Sequence, residues 1–371
     1  MPFMKYDNIR VAGLAAAVPS HSQDIDMKPD RDDAAYVKSF VKNVGVTKRH
    51  ISIIEQTSLD LCYAASLKAM EKAGWSGEDI DGVIFLTQTP DYATPGNSAL
   101  LQKLLGMRTD TIAFDINLGC SAPPYGIFTA CSLMQNEGIN KMIVATSDTQ
   151  WPGYKTKDKL LADNTFLFGE GGSVVLLEKQ AGSPEIKIEL WNDGSGYKYL
   201  HALGGARNSR DILKNWNIID EDVIVPTGEQ VSVDTAVYLD GPSIMSFTIT
   251  TVVDAMKSFC NRIVTDVSSY DGVVLHQANL KILKTMAKRL NLDLEKMPVT
   301  IDRYANTSAA SVFLTMADAY ADSEKESVHL LASGFGVGLS WGVMDLHISP
   351  SVIAPIFETD FVFEEGKFKR E

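Results

Sequence analysis

The chain has 371 residues, enough for two or three domains or one large duplicated unit, and its 45% hydrophobic and 22% charged content marks a globular protein with a sizeable core. A formal net charge of −13 argues against general nucleic-acid binding, which needs a basic field, but leaves room for an acidic partner at a local basic patch. The four cysteines (Cys62, Cys120, Cys131, Cys260) lack CxxC spacing, which argues against a zinc site, and no segment is apolar for long enough to span a membrane, so a reducing cytoplasm is the expected compartment.

RVAGLAAAV at 10–18 reads as a first strand. SLDLCYAASLKAMEKAG at 58–74 has a helical apolar period, with Ser58 as its cap and Gly74 as its stop. DGVIFLTQ at 81–88 is a buried strand, TPGNSALLQKLLGM at 94–107 a helix, and TIAFDIN the strand that follows. A helix is predicted from just after Cys120 to about Gly138, then a buried strand over KMIVATSD at 141–148. This alternation predicts an α/β architecture. LFGEGGSVVLL at 167–177 lacks the spacing of a nucleotide motif, and its glycines read as strand–strand packing. Residues 179–240 break the rhythm: WNDGSGYKYLHALGGARNSRDILKNW reads as a strand and then an excursion that roofs the active site. The terminal ETDFVFEEGKFKRE looks polar and peripheral.

The second half repeats the plan of the first. DGVVLHQAN at 271 echoes DGVIFLTQT at 81, HLLASGFG at 329 echoes MIVATSDT at 142, and Asn306 stands nearly where Cys120 stands in the first half, at offsets of 190, 187 and 186 residues. Three near-equal offsets indicate a duplicated unit. We therefore divide the chain into halves at 1–178 and 179–371.

Three residues carry the chemistry. Cys120 lies where an apolar run meets a helix start, and the unpartnered N–H groups of a first helical turn favour thiolate over thiol. His276 follows an apolar run in LHQANLKIL, and Asn306 opens a helical pattern in YANTSAAS. Cys62, Cys131 and Cys260 fall in apolar-periodic stretches and read as buried thiols, and the other five histidines as structural. In NLKILKTMAKRL, Leu280, Leu283, Ala287 and Leu290 form one helix face and Lys281, Lys284 and Lys288 another; the basic face is either solvated surface or a docking patch.

With DINLGCSA around Cys120, LFGEGGSVVLL, LHQANLKI, YANTSAAS and SGFGVGLSWG at 333–342 in this order, the chain resembles the beta-ketoacyl-acyl carrier protein synthase III family of the thiolase superfamily, from about residue 9 to about 347. The resemblance implies the thiolase fold: two βαβ-type halves layered αβαβα, with the nucleophile of one half placed against the acid/base residues of the other. It implies a catalytic triad of Cys120, His276 and Asn306. Cys120 would take an acyl group from a thioester, and the backbone N–H groups of Cys120 and Val337 would form the oxyanion hole. Malonyl on acyl carrier protein would then be held by His276 and Asn306, decarboxylate, and attack the acyl-cysteine. No cofactor or metal is implied, and a homodimer that binds acyl carrier protein and acyl thioesters is expected. Phe335, Gly336 and Gly338 belong to an active-site turn, and Thr94 to the acyl pocket, where a partner-subunit residue often closes it. Lys281, Lys284 and Lys288 would dock the acidic carrier.

The family's CoA-adenine clasp aligns here with Ser39, Asn43 and Ala162, which favours a carrier-bound donor, and the small Thr94 leaves room for an acyl group larger than acetyl. Alternatives are a synthase-III-like acyltransferase acting on oxygen or nitrogen, a chalcone-synthase-like enzyme, a papain-like cysteine hydrolase, and a catalytically dead interaction subunit.

Overall fold

The computed structural model describes residues 3–25, 34–53, 55–149, 166–202, 216–220, 223–226 and 237–364. Its framework is eleven strands: β1 (Phe3–Tyr6), β2 (Ile9–Pro19), β3 (Gly82–Leu86), β4 (Ile112–Ile116), β5 (Lys141–Asp148), β6 (Gly171–Lys179), β7 (Ile186–Asn192), β8 (Gly272–Leu275), β9 (Val328–Gly336), β10 (Ser340–Ile348) and β11 (Phe357–Thr359). They form two sheets, ordered β11-β2-β6-β5-β3-β4 and β1-β7-β10-β9-β8. Shorter hairpin pairings join Leu200–Ala202 to Val237–Leu239 and Trp216–Asp220 to Val223–Pro226.

The duplication read from sequence is a duplication of topology. In the first sheet β3 and β5 are parallel, β5 and β6 antiparallel, and β6 and β2 antiparallel. In the second, β8 and β9 are parallel, β9 and β10 antiparallel, and β10 and β7 antiparallel. The inner strands of the first sheet all precede residue 180 and those of the second all follow residue 185. The outermost strands cross over: β1 pairs with β7 in the second sheet and β11 with β2 in the first.

Helices fill three layers around the sheets. Helices α2 (Ser58–Ala73) and α3 (Asn97–Leu104) cover the outer face of the first sheet, over Ala12, Ala15, Val83, Phe85 and Val174. Between the sheets lie α4 (Ala122–Leu133) and α7 (Ser311–Tyr320), buried among Leu14, Val144, Val175, Leu330 and Met344. Helices α5 (Val253–Arg262) and α6 (Leu280–Leu290) cover the outer face of the second sheet, against Val273, Leu331 and Val343. Alternate residues of each strand feed opposite layers, as the two-residue period of a strand requires. The result is the αβαβα sandwich. A further helix, α1 (Ala34–Val44), packs with Leu280 and Phe166 in a small separate cluster.

Local signals set several boundaries. Gly74 ends α2 in the left-handed conformation at φ 68°. Its cap is Thr57 rather than Ser58: Thr57 and Asp60 form a reciprocal capping box, with the Thr57 N–H 2.8 Å from Asp60 Oδ2, while Ser58 Oγ shares a hydrogen bond with Thr89 Oγ1 at 3.0 Å. The glycines at 169–172 serve helix and loop contacts rather than strand packing. A Cβ on Gly172 would lie 2.7 Å from the Leu61 backbone of α2. Residues 357–363 are also not peripheral, while 365–371 lie outside the described residues. β11 is a strand of the first sheet, the Phe361 ring lies 4.7 Å from Tyr63, and the Phe363 N–H donates to Asp60 Oδ1 at 2.8 Å. Phe357 of this strand and Phe363 beyond it pack against the α2 layer.

Candidate active site

Strand β4 ends at Ile116, and residues 117–121 turn the chain into α4. Pro123 and Pro124 fall in the first turn of α4, where missing N–H groups leave no helical bond unmade. Cys120 sits at the head of this helix, 7% exposed. The end of β9 closes over it. A Cβ on Gly334 would lie 2.7 Å from the Cys120 carbonyl oxygen, and one on Gly336 would lie 2.7 Å from Cys120 Cβ and 3.1 Å from its sulfur. The glycines of GFGVG are thus the condition for the strand end to touch the cysteine. Gly338 has φ 138°, open to glycine alone, and Val337 is half-buried in the same turn with its carbonyl accepting from Ser340 Oγ at 2.6 Å.

The second half supplies the other two side chains. His276 follows β8, its backbone N–H bonded to Ser333 of β9 at 2.9 Å and its ring edge-on to Phe335 at 5.4 Å. The Phe335–Gly336 dipeptide therefore links the histidine and the cysteine. His276 Nδ1 is 2.6 Å from Ser311 Oγ at the start of α7, which leaves Nε2 for another partner. Asn306 Oδ1 accepts from the Ser308 N–H at 2.9 Å, leaving the Nδ2 donors. Ala305 and Ser308, on either side of Asn306, hold positive φ of 58° and 47°. Side chains with a Cβ rarely adopt such angles, and strain of this kind collects at functional sites. Ser308 Oγ lies 3.8 Å from Cys120 Sγ and closes the ring of contacts.

Charge in this pocket is governed by burial. The Cys120 thiol is pushed up to about 12, chiefly by desolvation, with the contact to Ser308 opposing and the nearby Asp148 carboxylate adding to the rise. Loss of solvation thus outweighs the pull of the helix start, and the thiol stays protonated at rest. Desolvation also drives His276 down to about 3, so the ring is neutral near pH 7. When Ser311 donates to Nδ1, the neutral ring carries its proton on Nε2 and is itself a donor.

The remaining expected residues lie elsewhere. Thr94 is exposed in the loop before α3, and among the described residues nothing ties it to Cys120 within one chain. Lys281, Lys284 and Lys288 are exposed on α6, opposite the buried Leu283, Ala287 and Leu290, and Asn279, three residues after His276, caps this helix by accepting from the Lys281 N–H at 2.8 Å. Ser39 and Asn43 share an exposed face of α1, Asn43 Nδ2 donating to the Ser39 carbonyl at 2.9 Å; Ala162 and residues 203–215, 221–222 and 227–236 of the expected roof lie outside the described residues. All four cysteines are free, and among the described residues no helix is long and apolar enough to cross a membrane. The one described group of side chains able to hold a metal ion, His329, Asp345 and His347, lies at the start of β9 and the end of β10, away from Cys120. Its carboxylate already accepts from Tyr270 Oη at 3.1 Å, pairs with His329 Nε2 at 2.8 Å, and has Lys187 Nζ at 3.6 Å.

Sequence reading assigned no role to Ser308, Ser311, Gln88 or Asp148. The two serines stand inside YANTSAAS, and Asp148 is the one charge closing the otherwise uncharged run after Lys141 in KMIVATSD; both signals were present in the sequence.

Comparison with known proteins agrees with this geometry. Residues 114–194 match the family model described as 3-oxoacyl-[acyl-carrier-protein (ACP)] synthase III, and residues 260–348 match its C-terminal counterpart. The chain is 30% identical over 337 residues to the beta-ketoacyl-[acyl-carrier-protein] synthase III of Xanthomonas campestris pv. campestris strain 8004, spanning 90% of this chain and 96% of that protein. It is 32% identical over 307 residues to the enzyme of the same name from Streptococcus pneumoniae strain Hungary19A-6, spanning 82% of this chain and 88% of that one. Among solved structures, a 3-oxoacyl-(acyl-carrier protein) synthase from Burkholderia xenovorans LB400 superposes with a TM-score of 0.84 at 31% identity, over 96% of this chain and 99% of that one.

Proposed function

The chain belongs to the beta-ketoacyl-[acyl-carrier-protein] synthase III family, and from that premise we propose that it is a condensing enzyme, forming a beta-ketoacyl thioester by decarboxylative Claisen condensation in fatty acid or specialised acyl or polyketide biosynthesis. The observation that carries this reading is the pinning of His276 and Asn306. Each has one polar atom fixed by a serine of the 306–311 segment and keeps its other side-chain nitrogen free, while Ser308 of that segment lies 3.8 Å from Cys120 Sγ. Two neutral donors suit a thioester carbonyl whose oxygen gains charge as carbon dioxide leaves, and they do not suit a base that must store a proton.

Cys120 Sγ attacks the donor thioester and becomes acylated, with the N–H groups of Cys120 and Val337 receiving the oxyanion. The malonyl thioester then enters. His276 Nε2 and Asn306 Nδ2 hold its carbonyl, decarboxylation leaves the enolate on those donors, and the carbon attacks the acyl-cysteine. The exposed Lys281, Lys284 and Lys288 attract the acidic carrier protein. Thr94, exposed within one chain, reaches the acyl pocket of the other subunit in a cytoplasmic homodimer. The test is intact-protein mass spectrometry after exposure to acyl thioesters. Cys120→Ala should abolish loading and Cys131→Ala should preserve it; loading that persists without Cys120 overturns the assignment. Removing His276 or Asn306 should suppress malonyl decarboxylation more than loading, by about 2.7–4 kcal/mol of barrier. Decarboxylation at the wild-type rate in both variants would instead support simple acyl transfer.

A further inference from the structure

The pocket contains a titratable group that this mechanism leaves idle. Asp148 ends β5 and is 7% exposed. Its Oδ1 accepts from the Gln88 N–H at 2.6 Å, Thr87 Oγ1 at 3.0 Å and Thr89 Oγ1 at 3.4 Å, and its Oδ2 from the Ala309 N–H at 3.3 Å. These donors come from the end of β3 and from the turn that leads into α7, so the carboxylate ties the two halves together beneath Cys120. The Ser308 hydroxyl lies near enough to it to favour its charged form, and sits 3.8 Å from Cys120 Sγ with Gln88 Oε1 at 3.5 Å.

Acylation of Cys120 has a proton to dispose of. Burial keeps the thiol protonated at rest, and the same burial leaves His276 with little affinity for a proton. A hydroxyl that donates to a carboxylate or amide oxygen turns a lone pair toward whatever lies on its other side, which here is the thiol. We propose that Ser308 and Asp148 form a proton relay for Cys120, Ser308 accepting the thiol proton as it passes its own to the Asp148 carboxylate. The Sγ–acyl bond forms while the donor's C–S bond breaks, and that bonding pair leaves on the donor sulfur. The proton then returns along the same path, from Asp148 through Ser308, to the departing thiolate. No outside acid or base is consumed. Asp148 touches no reacting atom: it positions Ser308 and stores the proton. Desolvation raises its proton affinity, which suits that task. The groups facing it are Cys120 from the turn before α4 and Cys62 from α2, with Asp91 beyond Cys62; among the described residues no Lys, Arg or His pairs with it.

The inference rests on Cys120 being the acylated nucleophile, and the experiment separates the two. Single-turnover acylation by an acyl-CoA is followed by intact mass from pH 5.5 to 9.5 in wild type, Asp148→Asn and Ser308→Ala, with malonyl decarboxylation measured alongside. Folding is checked by circular dichroism, and Ser308→Ala carries the test if Asp148→Asn does not fold. Expected are an acylation loss of about 10²–10³-fold at pH 7 in both variants, a loss that narrows as pH rises, and a smaller loss in decarboxylation. Folded Ser308→Ala that acylates with the wild-type rate and pH profile overturns the relay. Wild type that does not load at Cys120 overturns the underlying assignment instead.

Discussion

The contact between Gly336 and Cys120 yields a sharp prediction for Gly336→Ala. The added Cβ would stand 2.7 Å from Cys120 Cβ and 3.1 Å from Sγ, whereas carbon atoms pack at about 3.5–4.0 Å. About 1 Å must open between the end of β9 and the head of α4 to admit it. A displacement of about 1 Å in a reacting group costs about 10²-fold in rate, equivalent to about 2.7 kcal/mol of barrier. The overpacking itself costs about 1–3 kcal/mol of stability. Gly138→Ala is the control, since a Cβ there meets nothing within 4 Å. Early-time acyl loading of Cys120, read by intact mass with urea unfolding of the same samples, should show the loss in Gly336→Ala and not in Gly138→Ala. Folded Gly336→Ala that loads within threefold of wild type would refute the claim that the turn must touch the cysteine.

Reversing charge at Lys281, Lys284 and Lys288 together should weaken acyl carrier protein binding and flatten its salt dependence, since exposed charges act through a screened field; unchanged low-salt affinity, measured by titration calorimetry, leaves the helix face merely solvated. Ser39 and Asn43 offer neither a planar cation nor an aromatic ring for adenine, so in a competition read by intact mass, carrier-bound acyl groups longer than acetyl should load Cys120 faster than acetyl-CoA; a clear preference for acetyl-CoA contradicts this. His276 titrates near 3 when folded against 6.5 as a free side chain, so below pH 6.5 the unfolded chain binds a proton that the fold rejects, and stability falls toward pH 3 by up to about 1.4 kcal/mol per unit. Urea unfolding at pH 7 and 5 should show a smaller drop for His276→Gln than for wild type, and equal drops would count against a neutral buried ring.

Much of this molecule can be read from neighbouring residues alone. KMIVATSD is a strand end to end, and Gly74 stops α2 where its backbone freedom allows. The repeat offsets gave the matching strand orders because each half encodes its own ladder. What was not legible depends on partners distant in the chain. Gly172 looked like sheet packing because the helix it admits lies a hundred residues earlier. β11 has three residues, too few for a periodic signal, and is a strand because β2 offers it an edge. The burial of Cys120 was not legible for the same reason: the helix start is local, but the burial that outweighs it comes from β9 and the 306–311 segment. Asp148 carries no motif, and its importance emerges only when the Ser308 hydroxyl is placed near both it and the sulfur.

The exchange of outer strands bears on how the chain could be divided. A cut after Lys179 would leave an N-terminal piece holding β1, which has its pairing edge in the other piece, and a C-terminal piece holding β11, which has its edge in the first. Each fragment would expose an unsatisfied sheet border and carry the strip that covers its partner's. Two such fragments are natural candidates for complementation: inert and aggregation-prone when made separately, and able to clasp into one particle when made together. The twofold repeat therefore describes this fold's pattern, while its ends make it a single indivisible body.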